Sequence, residues 1–313
     1  MTTEKPSIGF IGLGGMGRGL VKNLLKHGFS VRVFDIDADA MANAEALGAV
    51  PASSAADAAR DVDIVSVCVT TAEAVQKIAL GPDGVFAAMR ADAEFVDHTT
   101  VSPSHVDAMR AAATDAGVAY AEAPMTRTPA HADRGEVNIL FGGEADQLAR
   151  LTPMFEAYAE NVFHVGPAGH AIRLKLIHNY IAFANVATWC EGFALAARDG
   201  LDMSKVIGII SAAGGKSGMM DLYGELTLKR DFTPHMSLSN AAKDVRYYAE
   251  WIEASGLPDG LADAVFASYA RAEETGHGSE GCTAIIKAYE TISGVEARLP
   301  TAPDNSGSEA EAT

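Results

Sequence analysis

The chain of 313 residues is 48% hydrophobic and 21% charged, which is an ordinary balance for a globular protein, and its length suits two domains. A formal net charge of −17 argues against nucleic-acid binding, and no apolar run is long enough to span a membrane. An anionic substrate would therefore need a local cationic group. Cys68, Cys190 and Cys282 lie too far apart for metal-ligand spacing, so we expect no metal site.

The first half of the chain alternates short apolar runs with alanine-rich helical segments. Strands are predicted at residues 7–11, 31–34, 62–69, 94–98 and 118–123, with further strand-like runs at 137–141 and 162–165. Helices are predicted near residues 15–27, 38–47, 53–60, 73–80 and 103–116. Strands separated by helices of this length indicate right-handed crossovers and a mainly parallel sheet. The fold class predicted for this half is α/β, of the Rossmann type.

The pattern changes at Gly166-Pro167-Ala168-Gly169, beyond which strand-like runs vanish. Residues 170–198 form a long apolar stretch that predicts one buried helix, and helical segments continue to about Ser293. We therefore predict a dinucleotide-binding domain over residues 1–166, an all-α domain over 167–296 joined by the long helix, and a disordered tail over 297–313. The N-terminus is short and polar, unlike a signal peptide, so we expect a cytoplasmic protein.

The first predicted strand runs directly into a glycine-rich loop. The segment Gly12-Leu13-Gly14-Gly15-Met16-Gly17 fits the pattern G-x-G-x-x-G and opens a helix. Gly12 permits a tight turn, Gly14 lets the backbone approach a pyrophosphate, and Gly17 lets the helix pack on the strand. A glycine-rich turn without a ligand is the alternative. The position between strand and helix favours dinucleotide binding.

The second predicted strand is followed by Asp35, 18 residues beyond Gly17. An acid at this position can accept hydrogen bonds from the adenosine ribose, and it repels a 2′-phosphate. Arg32 precedes this position rather than following it, so no phosphate-binding arginine is evident. The sequence therefore predicts NAD as the cofactor in preference to NADP.

The long predicted helix carries a lysine among apolar residues. Lys175 lies between two leucines, and Asn179 lies four residues on, so both project from one face. A lysine that extends from the helix to solvent is the alternative. The functional interpretation is a general acid that protonates a carbonyl oxygen as hydride arrives. His178 and His98 are weaker candidates for the same role.

These motifs together resemble the β-hydroxyacid dehydrogenase family, which includes 3-hydroxyisobutyrate dehydrogenase and tartronate semialdehyde reductase. The similar segments begin with the glycine loop and end near residue 293. They include Asp97-His98-Thr99-Thr100-Val101-Ser102-Pro103, Glu122-Ala123-Pro124, residues 135–143, the pair Lys175 and Asn179, and Lys243-Asp244.

The resemblance implies a role for several residues. It makes Lys175 the acid–base residue and Asn179 the residue that holds substrate and lysine in place. The cofactor contacts expected from the glycine loop, Asp35 and the resemblance are Gly12, Leu13, Gly14, Gly15, Met16, Gly17, Asp35, Thr70, Thr100 and Lys243. The resemblance also implies an all-helical C-terminal domain whose long helix forms a subunit interface. We therefore expect a homodimer or homotetramer.

One segment departs from the family pattern. After its D-A-P motif the family usually has V-S-G-G, whereas this chain has Met125-Thr126-Arg127-Thr128, with Arg127 in place of the first glycine. This segment is most similar to that of the 3-sulfolactaldehyde reductases. Arginine offers a permanent, forked charge to an anion. We expect Thr126, Arg127, Thr128 and His178 to contact a small anionic substrate.

The predicted activity is NAD-dependent, reversible hydride transfer to and from a short 3-hydroxy acid or its semialdehyde, with a three-carbon sulfonate as one possibility. The alternatives are a 3-hydroxyisobutyrate or tartronate semialdehyde substrate, imine reduction, and NAD binding without turnover.

Overall fold

The computed structural model describes residues 5–300. The strands are β1 (Ile8–Ile11), β2 (Val31–Phe34), β3 (Val50–Pro51), β4 (Ile64–Val67), β5 (Glu94–Asp97), β6 (Ala119–Glu122), β7 (Met125–Thr126), β8 (Val137–Gly142) and β9 (Ala159–Gly166). The helices of this region are α1 (Gly17–Lys26), α2 (Ala38–Ala46), α3 (Ala55–Ala59), α4 (Ala72–Leu80), α5 (Val85–Ala88), α6 (Pro103–Ala116), α7 (Pro129–Arg134) and α8 (Ala145–Phe155).

The nine strands of residues 5–300 form one sheet in the order β3-β2-β1-β4-β5-β6-β8-β7, with β9 also paired to β8. The pairs from β3 to β6 are parallel, whereas β8 runs antiparallel to β6 and β7. The strand order reverses at β1, which lies between β2 and β4. In doubly wound sheets the ligand crevice opens at the carboxyl ends of the strands at such a reversal. The glycine loop follows β1 at this point.

Side chains of the central strands are buried on both faces of the sheet. Phe10 and Val96 pack into one apolar cluster, and Val65 and Phe95 pack into a second. Because helices cover both faces of the sheet, the sequences of these strands are continuously apolar and do not alternate between apolar and polar residues. The predicted Rossmann-type fold is confirmed.

Beyond Gly166 the regular elements of the described residues are all helices, and the one strand-like feature is an isolated bridge between Ser237 and Gly281. The helices are α9 (His170–Arg198), α10 (Met203–Ser211), α11 (Gly218–Leu228), α12 (Leu238–Ser255), α13 (Gly260–Glu274) and α14 (Ile285–Ser293), with a 3₁₀ turn at Cys282–Ala284. The long predicted helix is confirmed with both of its ends. None of the helices within residues 5–300 combines the length and apolar character needed to cross a membrane.

The chain divides into two compact units. The first contains the described residues up to Asn179 together with Arg246–Pro258, and the second contains Tyr180–Val245 and the described residues from Asp259 onward. This division lies inside α9, after the expected boundary at residue 166, and that boundary stays a prediction.

The predicted tail begins too early in the sequence. Ala297 is buried, and its N–H donates to the Glu290 carboxylate at 2.8 Å. The Leu299 N–H donates to the Leu228 carbonyl at 3.1 Å. Ala297 and Leu299 are therefore packed, because their N–H groups and their apolar side chains have partners in the helical unit. The rest of the predicted tail, residues 301–313, lies outside the described residues.

Candidate active site

The glycine loop meets the steric demands of a dinucleotide-binding turn. Gly12 has φ +98°, and a Cβ added there would lie 2.2 Å from the Cys68 carbonyl oxygen. A Cβ added at Gly17 would lie 2.0 Å from the Gly12 carbonyl oxygen, so the start of α1 closely approaches β1. A Cβ added at Gly14 would meet no atom within 4 Å among the described residues. The backbone at Gly14 is therefore open to a ligand.

The N-terminus of α1 is suited to a negatively charged group. Its cap residue, Met16, makes no side-chain hydrogen bond to the helix. Within the described residues, the first turn of α1 contains no acidic side chain. The positive end of the helix dipole is thus not compensated by a carboxylate. These features fit the pyrophosphate of NAD.

Asp35 follows β2 and is held rigidly beside the loop. Its Oδ2 accepts a hydrogen bond from the Leu13 N–H at 2.6 Å, and its Oδ1 accepts one from the Asp37 N–H at 2.9 Å. Each carboxylate oxygen has a second lone pair, which leaves acceptor capacity for ribose hydroxyls. Arg32 instead donates to the carbonyls of Asp57 and Arg60. Its charge is thus directed at the end of α3, in agreement with NAD as cofactor.

Two more of the expected cofactor contacts lie on the same edge of the sheet. Thr70 follows β4 and is exposed, and Thr100 follows β5 and is half-buried. Because β1, β4 and β5 are parallel neighbours, their carboxyl ends share an edge. The structure therefore brings Thr70, Thr100 and Asp35 to the edge that carries the glycine loop.

The segment Thr126–Thr128 connects β7 to α7, and α7 packs against α1. The Asn23 side chain in α1 donates to the Ala132 carbonyl at 2.9 Å, and a Cβ added at Gly19 would lie 2.6 Å from the Ala132 carbonyl carbon. A Cβ added at Gly15 would lie 3.5 Å from a ring carbon of Pro129, the first residue of α7. The expected substrate segment thus adjoins the glycine loop.

Thr126 and Thr128 are already hydrogen-bonded within the protein. The Thr126 hydroxyl accepts from the Asn138 amide at 3.1 Å, and Asn138 in turn accepts from Asn161 at 2.9 Å. The Thr128 hydroxyl lies 2.8 Å from Nδ1 of His131. These bonds fix both hydroxyls in the segment.

Arg127 has an unusual backbone and a partner that the sequence does not indicate. Its φ of +81° lies in the left-handed region that favours glycine. Its Nη1 donates to the Glu136 carbonyl at 2.7 Å and to the carboxylate of Glu160, whose pKa it lowers. Within the described part of the chain its Nε and Nη2 make no hydrogen bond. The guanidinium is therefore partly neutralised, and one side of its fork remains for an anion.

Lys175 and Asn179 form a buried hydrogen-bonded pair one turn apart on α9. Their exposed fractions are 6% and 3%, which is inconsistent with a lysine extending to solvent. Lys175 Nζ donates to Asn179 Oδ1 at 2.9 Å. Nδ1 of His178 lies 2.9 Å from the same oxygen, and burial lowers the pKa of His178. One amide oxygen thus orients the lysine ammonium and the imidazole.

The structure gives His98 a packing role. Its Nε2 lies 3.0 Å from the Ser66 hydroxyl, and its Nδ1 lies 2.8 Å from the Ala123 carbonyl oxygen. Burial lowers the pKa of His98 to about 4. At neutral pH the ring is an uncharged member of the core, with both nitrogens engaged by the protein.

Lys243 lies in the second compact unit. It is mostly buried, and its Nζ lies 3.1 Å from a carboxylate oxygen of Asp244. Its contact with the cofactor stays a prediction. Among residues 5–300, no three His, Cys, Asp or Glu side chains are grouped so as to hold a metal ion.

One buried contact near the site was not predicted. Glu122, at the end of β6, accepts backbone hydrogen bonds from Ala171 in the first turn of α9, the helix of Lys175, and from Gly169 just before it. The sequence shows Glu122 only as part of a motif, because local spacing does not reveal a partner 47 or more residues away.

Comparison with known proteins agrees with this fold. Residues 7–166 match the family model of the NAD-binding domain of 6-phosphogluconate dehydrogenase, and residues 168–289 match that of the NAD-binding domain of NADP-dependent 3-hydroxyisobutyrate dehydrogenase. The chain is 30% identical to 3-sulfolactaldehyde reductase of Escherichia coli, over 94% of this chain and 99% of that protein. It is 29% identical to L-threonate dehydrogenase of Cupriavidus necator, over 91% and 97% of the two chains.

A solved structure shows the same fold. The crystal structure of 3-hydroxyisobutyrate dehydrogenase from Salmonella typhimurium superposes with a TM-score of 0.82 at 29% identity, covering 90% of this chain and 99% of that one. On the matching family models, the shared fold and the aligned length, the chain belongs to the β-hydroxyacid dehydrogenase family of 3-hydroxyisobutyrate dehydrogenase type, and is an NAD-dependent oxidoreductase that acts on hydroxyl groups.

Proposed function

We propose that this enzyme interconverts a short anionic 3-hydroxy compound and its aldehyde, with Lys175 as the acid–base residue. The observation that carries the proposal is the buried Lys175–Asn179 pair, because a lysine inside a protein requires a specific role or partner. Bound NAD(H) supplies or accepts the hydride. In reduction, the Lys175 ammonium gives a proton to the carbonyl oxygen, and in oxidation the neutral amine removes it from the hydroxyl.

The other residues of the site orient the reactants. The Asn179 oxygen holds Lys175 Nζ at 2.9 Å, so the proton donor needs little reorganisation when substrate binds. The anionic end of the substrate binds at Thr126, Arg127 and Thr128, where the uncommitted nitrogens of Arg127 can form charge-assisted hydrogen bonds. His178 borders the same site through Asn179.

The first substrate to test is a three-carbon sulfonate, 3-sulfolactaldehyde or its reduced product. This choice is supported by the Arg127 segment and by the relative of 30% identity that carries that name. L-Threonate and 3-hydroxyisobutyrate are the carboxylate alternatives, from the second relative and the solved structure. Imine reduction or NAD binding without turnover is less compatible with the buried Lys175–Asn179 pair.

The decisive experiment combines a substrate panel with a single substitution. Sulfonate, carboxylate and imine substrates are assayed with NAD(H) and NADP(H), and the best one is repeated with Lys175→Ala. We expect turnover to fall by about 10²–10⁴-fold, the contribution of general acid–base catalysis. NADH binding, followed by fluorescence, should be unchanged. Lys205→Ala, which removes an exposed lysine on α10, is the control. Nearly full activity of Lys175→Ala would refute the proposal.

We also propose that two copies associate through an apolar face of α9. Leu174, Ile177 and Ile181 lie on one side of the helix with exposed fractions of 40%, 37% and 55%, and Leu195 continues the stripe two heptads on. An exposed stripe of this kind is typical of a protein–protein contact. The proposed compartment remains the cytoplasm, where the three free cysteines would stay reduced.

A further inference from the structure

The carboxylate of Glu122 joins the sheet to the helix that carries Lys175. One oxygen accepts from the N–H groups of Gly169 at 2.5 Å and Ala171 at 2.8 Å, and the other accepts from Ile172 at 3.3 Å. Ala171 and Ile172 lie in the first turn of α9, whose first N–H groups have no partners inside the helix, and Gly169 directly precedes that turn. The contact links the carboxyl end of β6 to the first turn of α9.

The site is built for this carboxylate. Glu122 is 2% exposed, and burial raises its pKa to about 7 while the three backbone hydrogen bonds act to lower it. A Cβ added at Gly142, in the adjacent strand β8, would lie 2.2 Å from Glu122 Oε1. The glycine therefore leaves the space that the carboxylate occupies. A buried carboxyl group held in one position by three backbone donors gives a rigid connection.

The connection bears directly on the proposed acid–base residue. Lys175 lies four residues after Ala171 and three after Ile172, so it is one helical turn beyond the bonded N–H groups. A shift of the first turn of α9 would move the backbone of Lys175 with it. Misplacement of a reacting group by about 1 Å can cost about 10²-fold in rate.

We propose that Glu122 is a positioning residue for the dehydrogenase reaction: by binding the first turn of α9, it sets the location of Lys175 relative to the sheet edge where the cofactor binds. This inference rests on the proposed role of Lys175. It assigns to Glu122 no contact with substrate or cofactor, and it predicts that Glu122 acts on turnover only through Lys175.

The test is a double-mutant comparison. Glu122→Gln keeps the size of the side chain and removes its charge. In the otherwise unchanged enzyme we expect kcat to fall on the order of 10- to 100-fold, with NADH binding within twofold of normal because the glycine loop is untouched. In the Lys175→Ala background, single-turnover rates at high enzyme concentration should change less than twofold on adding Glu122→Gln.

Glu94→Gln is a matched control. Glu94 is also a buried carboxylate in the sheet, on the neighbouring strand β5, but its partners are the side chains of Gln147 and Arg150. We expect this variant to lower the melting temperature without a comparable loss of kcat. If Glu122→Gln does not fold, Glu122→Asp, which keeps the charge and withdraws it by one methylene, is measured in the same two backgrounds.

The outcomes separate the two proposals. If Glu122→Gln leaves kcat unchanged, or lowers the rate by the same factor with and without Lys175, the positioning role is wrong while the role of Lys175 stands. If Lys175→Ala alone retains nearly full activity, the proposed function is wrong. A rate loss that disappears in the Lys175→Ala background supports both.

Discussion

At the residue scale, the cofactor preference depends on the charge of Asp35. Its carboxylate is fixed by the N–H groups of Leu13 and Asp37, so it cannot easily turn away from a ligand bound beside the loop. A 2′-phosphate at this place would face a negative charge held in position. Arg32, bonded to two backbone carbonyls elsewhere, does not offset that charge.

Replacing Asp35 with Asn should weaken the discrimination against NADP. The amide oxygen can still accept the Leu13 N–H, which keeps the bond to the glycine loop, while the bond from the Asp37 N–H is lost because the amide has only one acceptor oxygen. The substitution also removes the repulsion of a 2′-phosphate. We expect the ratio of kcat/KM for NADPH to that for NADH to rise about tenfold, which corresponds to about 1.4 kcal/mol. Asp37→Asn is the control, because Asp37 caps α2 by accepting from Asp39 and Ala40. An unchanged ratio in Asp35→Asn would show that Asp35 does not face the ribose.

At the element scale, the connection from β7 to α7 combines a strained backbone with a charged side chain. Arg127 adopts φ +81°, a conformation that costs a side chain about 1–2 kcal/mol relative to the right-handed region. Its ion pair with Glu160 is partly exposed, and pairs of this kind contribute about 0–1 kcal/mol. The ion pair therefore does not offset the cost of the backbone conformation, so Arg127 does not stabilise the fold. A residue kept at such a cost is typical of a ligand-binding site.

Arg127→Gly tests that role without adding strain. The loss of the ion pair and the relief of backbone strain should nearly cancel, whereas Arg127→Ala keeps the strain and should be about 1 kcal/mol less stable than Arg127→Gly. In both variants the KM for an anionic substrate should rise at least about tenfold, since hydrogen bonds to charged groups contribute about 1.5–3 kcal/mol. Arg134→Ala, which removes an exposed arginine paired with Glu136, should leave KM unchanged. If the unaltered enzyme and the three variants have equal KM values, Arg127 does not belong to the substrate site.

The sequence predicts some helices and strands better than others. Helix α9 was predicted at both ends, because a long, largely apolar stretch is bounded by glycine-containing segments. Strands β3 and β7 have two residues each and were missed, as were the short helices α5 and α7, because such segments are too brief to show a period.

Long-range side-chain contacts were the other omission. The partner of Arg127 lies 33 residues away, and the donors to Glu122 lie 47 to 50 residues away. Such contacts are set by strand order and packing, which local patterns do not encode. The shape of the glycine loop and the pairing of Lys175 with Asn179 could be predicted because they depend on positions close together in the chain. The roles of these residues in binding and catalysis stay predictions.

At the scale of the whole molecule, a net charge of −17 opposes the association of two copies. A stable contact must therefore come mainly from apolar burial, and α9 offers the stripe of Leu174, Ile177, Ile181 and Leu195 for it. Salt screens the repulsion and leaves apolar burial in place. Self-association through α9 should thus strengthen as ionic strength rises, the reverse of what an interface built on ion pairs would show.

Ile181→Glu should separate the copies. A carboxylate in the middle of the stripe would be desolvated in the contact, at a cost large enough to dissociate a dimer at micromolar concentration. Light scattering coupled to size-exclusion chromatography should give twice the chain mass or a higher multiple for the unaltered protein, and a lower mass for the variant. Leu47→Glu is the control, because Leu47 is equally exposed, at 54% against 55%, but lies at the end of α2. If the unaltered protein is a monomer, the proposed association is wrong. If Ile181→Glu keeps the mass of the unaltered protein, the contact does not involve this face of α9.

The dissociated variant would also show whether the active site needs a second copy. NADH binding to the glycine loop should survive dissociation even if turnover does not.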